Sequence, residues 1–226
     1  IHTKDHTTHI AALREVFLRL RRFNLKANPE KTIMGAKELS YLGFLLSEKG
    51  IGPGPEKLEA MREFPCPDSV KKIREFLGMA NYWRGLIPSF ALHAGHLSRL
   101  LKKDSGYKKG EIPQDAKEAF QHLKEALCSK PVVRHPAKEG DWHLTTDASQ
   151  GDKDHPGGLG AVLSQVVDKE ERVIGYASRA LKPFEKNYSA YLLELAAAEW
   201  AIDYFSVYLT GRYFRLWVDH RPLLSL

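Results

Sequence analysis

Apolar residues in 6–23 (HTTHIAALREVFLRLRRF) fall at Ile10, Leu13, Val16, Phe17, Leu20 and Phe23. This three-to-four spacing predicts an amphipathic helix, with Thr7 or Thr8 as its cap. Asn28-Pro29 breaks the pattern. Residues 39–46 (LSYLGFLL) and Ile51 flank Ser47-Glu48-Lys49-Gly50, which predicts a short β-hairpin. Prolines 53, 55, 65 and 67 then punctuate a short helix over 55–64 and a longer one over 69–85, opened by Asp68 or Ser69. Two further helices are expected over 88–103 and 114–129, separated by a polar loop. Near Pro136 the period shortens. Residues 142–147, 158–166 and 172–178 read as strands, 187–209 as a long helix centred on Ala196-Ala197-Ala198, and 213–219 as a fourth strand ending in Asp219. The expected fold class is α/β (α+β): a mostly helical first part, then a mixed sheet with the 187–209 helix packed on it and a right-handed crossover between strands three and four.

The chain of 226 residues is 43% hydrophobic and 10% aromatic, enough for a core and against wholesale disorder. No apolar run approaches the ~18–20 residues that span a bilayer, and the first residues lack the apolar region of a signal peptide. With no membrane segment, an intracellular location is expected. The chain begins at Ile1 rather than Met, so a start within a longer protein is expected. Cys66 and Cys128 supply neither a disulfide framework nor a zinc cluster. Charge is uneven: residues 1–140 hold 25 Lys and Arg against 16 Asp and Glu, and residues 141–226 hold 9 against 12. The first part is suited to tracking a polyanion, although a solvated basic face explains the same balance.

Asp147 and Asp219 each close an apolar strand, and Glu194 lies in an alanine-rich helix. Three acids so placed could converge on Mg²⁺ or Mn²⁺, which prefer hard oxygen ligands. Strand ends and an exposed helix acid account for the same residues without a metal. Lys102, Lys103, Lys108 and Lys109 flank Tyr107 as a loop could that touches a phosphate backbone, and Tyr82-Trp83-Arg84 could stack on or pair with nucleic acid or simply pack. His93 and His96, three apart with no neighbouring carboxylate in sequence, read as a surface pair.

Taken in order, these residues resemble the Pol polyprotein of gypsy-type LTR retrotransposons and retrovirus-like elements over essentially the whole chain. His9 to Phe23 and Leu25-Lys26-Ala27-Asn28-Pro29 resemble the segment after the polymerase YxDD hairpin. Tyr41-Leu42-Gly43-Phe44 resembles the primer-grip hairpin, and Pro53 to Tyr82, with Phe76-Leu77-Gly78-Met79-Ala80-Asn81-Tyr82, the thumb. Thr146-Asp147-Ala148-Ser149, Tyr176-Ala177-Ser178-Arg179, Glu185-Lys186-Asn187-Tyr188, Glu194-Leu195-Ala196-Ala197 and Val218-Asp219-His220 resemble the RNase H region. The resemblance implies a palm remnant over 1–52, a helical thumb over 53–135 and a C-terminally truncated RNase H-like domain over 136–226. It implies two-metal hydrolysis of RNA in RNA–DNA hybrids, with Asp147, Glu194 and Asp219 holding Mg²⁺ or Mn²⁺, two ions in the complete domain. It also implies that Tyr41, Leu42, Gly43, Asn81, Tyr82, Arg84 and the four loop lysines lie toward nucleic acid, and that the remainder of a polyprotein is a partner. A dimer is compatible with it. YxDD is absent, so DNA synthesis is not implied, and a fourth acid of the family would fall after Leu226, so feeble cleavage or none is expected of the chain alone. A non-catalytic nucleic-acid-binding or domesticated remnant is the alternative.

Overall fold

The computed structural model describes every residue except 2, 4, 103–104, 106, 108–109, 111, 130–131, 153–155 and 220–226. It forms two compact units, Ile1–Lys37 and Glu38–Leu226. In the first, helix α1 (His6–Arg22) starts at Asp5, whose carboxylate accepts the Thr8 N–H at 2.8 Å. Asp5 therefore takes the capping role that Thr7 or Thr8 was expected to hold, because a carboxylate is a better acceptor for the first free amides. No residue of α1 is buried, and a 3-10 turn at Pro29–Lys31 follows.

The second unit opens with a three-stranded antiparallel sheet of β1 (Glu38–Tyr41), β2 (Phe44–Ser47) and β3 (Gly50–Pro53). The expected single hairpin is thus two, because Leu42 and Gly43 turn the chain with φ of +47° and +75°. A positive φ costs glycine little, which makes Gly43 the natural pivot. The turn is held from outside: Tyr82 donates to the Leu42 carbonyl and Trp83 Nε1 to the Gly43 carbonyl at 3.2 Å.

Helices α2 (Pro55–Glu63), α3 (Val70–Tyr82), α4 (Phe90–Arg99) and α5 (Gln114–Cys128) follow. Ser69 caps α3, accepting from the Lys72 N–H. Their apolar stripes meet in one continuous core that includes Met61, Ile73, Phe76, Trp83, Leu97, Leu123 and Leu127. Helix α4 is shorter than the expected 88–103: Ser89 enters it with φ of +50°, and it ends at Arg99 with Leu100 as its C-cap.

The larger sheet contains β4 (Asp141–Ser149), β5 (Gly158–Val167), β6 (Glu170–Ala180) and β7 (Phe214–Val218), in the order β6-β5-β4-β7. β5 runs antiparallel to β4 and β6, and β7 runs parallel to β4. The chain therefore crosses from one edge of the sheet to the other through α6 (Ala190–Tyr204) and α7 (Ser206–Leu209). The expected 187–209 helix starts later because Ser189 caps it, and it breaks at Phe205. Strand β4 alternates as a half-covered strand should: Trp142, Leu144 and Thr146 are buried, whereas Asp141, Thr145 and Asp147 are exposed. Mixed helix and sheet, with α6 laid across β4 and β5, is thus the observed architecture. No helix among the described residues is long and apolar enough to cross a membrane.

Candidate active site

Asp147 lies near the C-terminal end of β4, paired with Gly160 of β5 and exposed. On its other side, Thr146 is in register with Val218 of the parallel strand β7, and Asp219 follows immediately. The two aspartates therefore stand at the same end of neighbouring strands, whose backbones run ~4.8 Å apart. Glu194 lies on α6, where it is 8% exposed between the buried Leu193 and Ala197. An ionisable side chain on the apolar face of a helix is costly to bury, which sets Glu194 apart from the solvated acids of the chain. Among the described residues, no group of three His, Cys, Asp or Glu side chains is gathered closely enough to hold a metal ion. The donor set nevertheless fits a hard divalent cation in chemical type and in the adjacency of Asp147 and Asp219.

A small pocket beside Asp147 is lined by Ser149, Gly158, Gly160, Ser178 and Arg179. Arg179 enters a two-pronged ion pair with Glu185, at 2.6 Å (Nη1–Oε2) and 2.7 Å (Nη2–Oε1), and Glu185 also accepts the Lys182 N–H at 2.7 Å. The guanidinium hydrogen bond holds the Glu185 carboxyl down to about 2. In the sequence, Arg179 and Glu185 appear only within the family resemblance. Their pairing was not legible because it depends on how β6 turns into the 3-10 segment Glu185–Asn187.

The residues expected toward nucleic acid differ in their surroundings. Tyr41 and Leu42 are 58% and 69% exposed, and Gly43 forms the turn beside them. Asn81 and Lys102 are exposed. Tyr82 is partly exposed, with its ring stacked on Phe44 at 5.2 Å and Lys57 Nζ 4.5 Å above it, while its hydroxyl is engaged by Leu42. Arg84 is half-buried and donates to the Ser178 carbonyl, so its guanidinium joins the helical layer to β6. Lys103, Lys108 and Lys109 lie outside the described residues.

His93 and His96 are not the surface pair expected. His96 is buried, with Nδ1 2.8 Å from Asp115 Oδ2, an oxygen that also accepts from Arg99. The His93 ring stacks on His122 at 3.8 Å, and burial, then His122 and His96, lower its pKa to about 4. Asp115, Glu118 and His122 are brought to α4 by α5, a pairing no sequence spacing discloses; with the histidines they line an open cavity of about 700 Å³.

Comparison with known proteins gives this geometry a family context. Residues 113–216 match the RNase H-like domain found in reverse transcriptase, a match that runs from α5 through β4, β5, β6 and α6 into β7. The chain is 36% identical over 214 residues to the retrovirus-related Pol polyprotein from transposon 412 of Drosophila melanogaster, covering 95% of the chain and 17% of that protein. It is 37% identical over 229 residues to the corresponding polyprotein from transposon gypsy of the same organism, covering 97% of the chain and 21% of that protein. The Tf2-3 transposon polyprotein of Schizosaccharomyces pombe is 32% identical over 228 residues, covering 100% of the chain and 16% of that protein. The chain thus spans about a fifth of the length of the curated relatives it matches. Its fold is similar to the foamy viral protease-reverse transcriptase dRH solved with double-stranded DNA, at a TM-score of 0.75 and 18% identity over 100% of this chain and 38% of that one. The foamy viral protease-reverse transcriptase solved with an RNA/DNA hybrid gives a TM-score of 0.74 at 17% identity, over 96% of this chain and 28% of that one.

Proposed function

From the premise that the chain belongs with the Pol polyproteins of gypsy-type retroelements and carries an RNase H-like region, we propose that it acts in metal-dependent hydrolysis of the RNA strand of an RNA–DNA hybrid. The observation that carries this reading is the placement of Asp147 and Asp219 side by side at the ends of two parallel strands. Asp147, Glu194 and Asp219 would hold Mg²⁺ or Mn²⁺, two ions in the complete domain. Divalent ions in such a site activate water and neutralise charge on the phosphoryl oxygens. The protein's part is to supply oxygen donors from three different elements and to hold the hybrid against them.

In this reading residues 1–52 are the end of a palm, 53–135 a thumb and 136–226 the RNase H-like domain. The hybrid is gripped through its phosphates, mostly without regard to sequence, by the basic first part. Tyr41, Leu42, Gly43, Asn81, Tyr82, Lys102, Lys103, Lys108 and Lys109 are the proposed contact residues. Arg84, whose guanidinium is engaged by Ser178, contributes by fixing the helical layer in place.

The test is cleavage of an end-labelled hybrid in Mg²⁺ and in Mn²⁺ by the complete domain and by its Asp147→Asn variant. Each ~1.4 kcal/mol of lost transition-state stabilisation costs tenfold in rate, so the variant should lose at least ~100-fold. Salt-sensitive hybrid binding with no cleavage above that of Asp147→Asn would replace this reading with a non-catalytic nucleic-acid-binding module.

A further inference from the structure

We infer that Arg179 and Glu185 are positioning residues for the carboxylate site, fixing the start of α6, and with it Glu194, against the end of β4. This rests on the reading of Asp147, Glu194 and Asp219 as a metal-holding set. Glu185 is only 3% exposed, yet both its carboxylate oxygens are engaged by one guanidinium, and one of them also takes the Lys182 amide. Arg179 lies on β6, lines the pocket beside Asp147 and passes 5.4 Å from the ring centre of Trp200 on α6. It thereby touches three elements: the sheet, the connecting turn and the helix that carries Glu194.

A second tie acts from the opposite side. Gln150, which follows β4 three residues after Asp147, donates to the carbonyls of Lys186 and Tyr188, each at 3.3 Å. The segment between β6 and α6 is therefore held both by the strand before it and by the strand that carries Asp147. Ser189 caps α6 directly after this segment, and Glu194 comes five residues after Ser189. Displacement of the 3-10 turn would be passed through that cap to Glu194.

The chemistry of the pair suits a positioning role. A planar guanidinium meeting a carboxylate through two bonds fixes orientation as well as distance, which a lysine ammonium does not. The Glu185 carboxyl, held down to about 2, stays ionised across any working pH and is no proton donor. Its effect on the site is through geometry.

The experiment compares Mn²⁺ affinity, by titration calorimetry, of the wild-type chain, Glu185→Gln, Arg179→Lys and Leu209→Ala. Each is measured well below its own melting temperature. Leu209, buried where α7 packs on the sheet, serves as a destabilising control away from the turn. Loss of a group that orients metal ligands commonly weakens the metal about 10–100-fold. Glu185→Gln and Arg179→Lys should therefore weaken Mn²⁺ by at least ~10-fold, with Leu209→Ala unchanged. Wild-type affinity in both pair variants, or an equal loss in Leu209→Ala, overturns the positioning role while leaving the carboxylate site standing. A wild-type chain that binds no Mn²⁺ overturns the carboxylate reading itself, and this inference with it.

Discussion

The helices α2 to α5 and the sheet with α6 solve the problem of burial in different ways. The helical layer is closed by one continuous apolar cluster, and its one buried polar residue among those described is His96. The sheet layer has two smaller apolar clusters, one around Leu144 and Leu163 and one around Leu159 and Leu193. Among the described residues, six buried polar ones belong to this layer, Thr146, Ser164, Gln165, Ser178, Glu185 and Glu194, and the side chains of Ser164, Gln165, Ser178 and Glu185 are hydrogen-bonded. Hydrophobic burial is non-directional, so it can assemble helices without fixing fine geometry. Buried polar groups need partners at set distances and angles. The layer that carries the candidate chemistry is the one held by directional contacts.

Two core substitutions give the largest test of this contrast. Phe76→Ala removes an aromatic ring fully buried in the helical core and should cost ~3–5 kcal/mol. Glu185→Ala removes far less apolar surface, yet it strands a largely buried guanidinium, and it should also cost ~3–5 kcal/mol. Denaturant unfolding checks both. A cost below ~1 kcal/mol for Glu185→Ala would mean that the sheet layer is held by its apolar clusters after all.

Acid should separate the two layers next. His93 titrates near 4 in the folded chain against an ordinary value of 6.5, so the unfolded chain binds more protons between these limits. Its contribution is fully present above pH 6.5 and is lost as pH falls toward 4. After allowance for partial solvent screening this amounts to about 1–2 kcal/mol. Glu185, lowered from 4.5 to about 2, contributes above pH 4.5 and loses that contribution as pH falls toward 2. Melting temperatures from pH 8 to 3 should therefore fall in two windows. His93→Asn removes the titrating ring and should flatten the upper window while leaving the lower one; an unchanged upper window would separate the histidine stack from the acid response.

The smallest effect is expected at the caps. Ser69 and Ser189 accept the third amide beyond them in α3 and α6, each at 3.4 Å. Replacement of either by Ala should cost ~1 kcal/mol in thermal unfolding. Ser189→Ala exceeding Ser69→Ala would show that the turn before α6 contributes more than an ordinary helix start.

The same contrast explains what the sequence disclosed. Helical spacing placed α3 and α5 within a few residues, because one apolar stripe fixes each. Alternation placed β4, β5 and β6, and Asp219 was visible as the residue that follows a strand; Asp147 was expected to close β4, but β4 runs on through Ala148 and Ser149, which pair with β5. The Leu42-Gly43 turn was missed because its support comes from Tyr82 and Trp83, forty residues away. The Arg179–Glu185 pair and the histidine stack depend on packing between elements, which periodicity does not encode. Glu194 was legible as a candidate, but its burial is a fact of how α6 lies on the sheet.

The contacts of β6 with the helical layer bear on where the chain can be divided. β6 is an edge strand of the larger sheet, and along its outer side the Val173 carbonyl accepts the Arg134 N–H at 2.7 Å and the Ser178 carbonyl accepts from Arg84. Ser178 Oγ also takes the amide of Ala91 at the start of α4. An uncovered strand edge is a template on which other chains add. The helices are thus a sheath over an adhesive border, and a fragment beginning near residue 136 would bare eleven residues of it. Such a fragment would retain the strands of the larger sheet and still precipitate by strand addition.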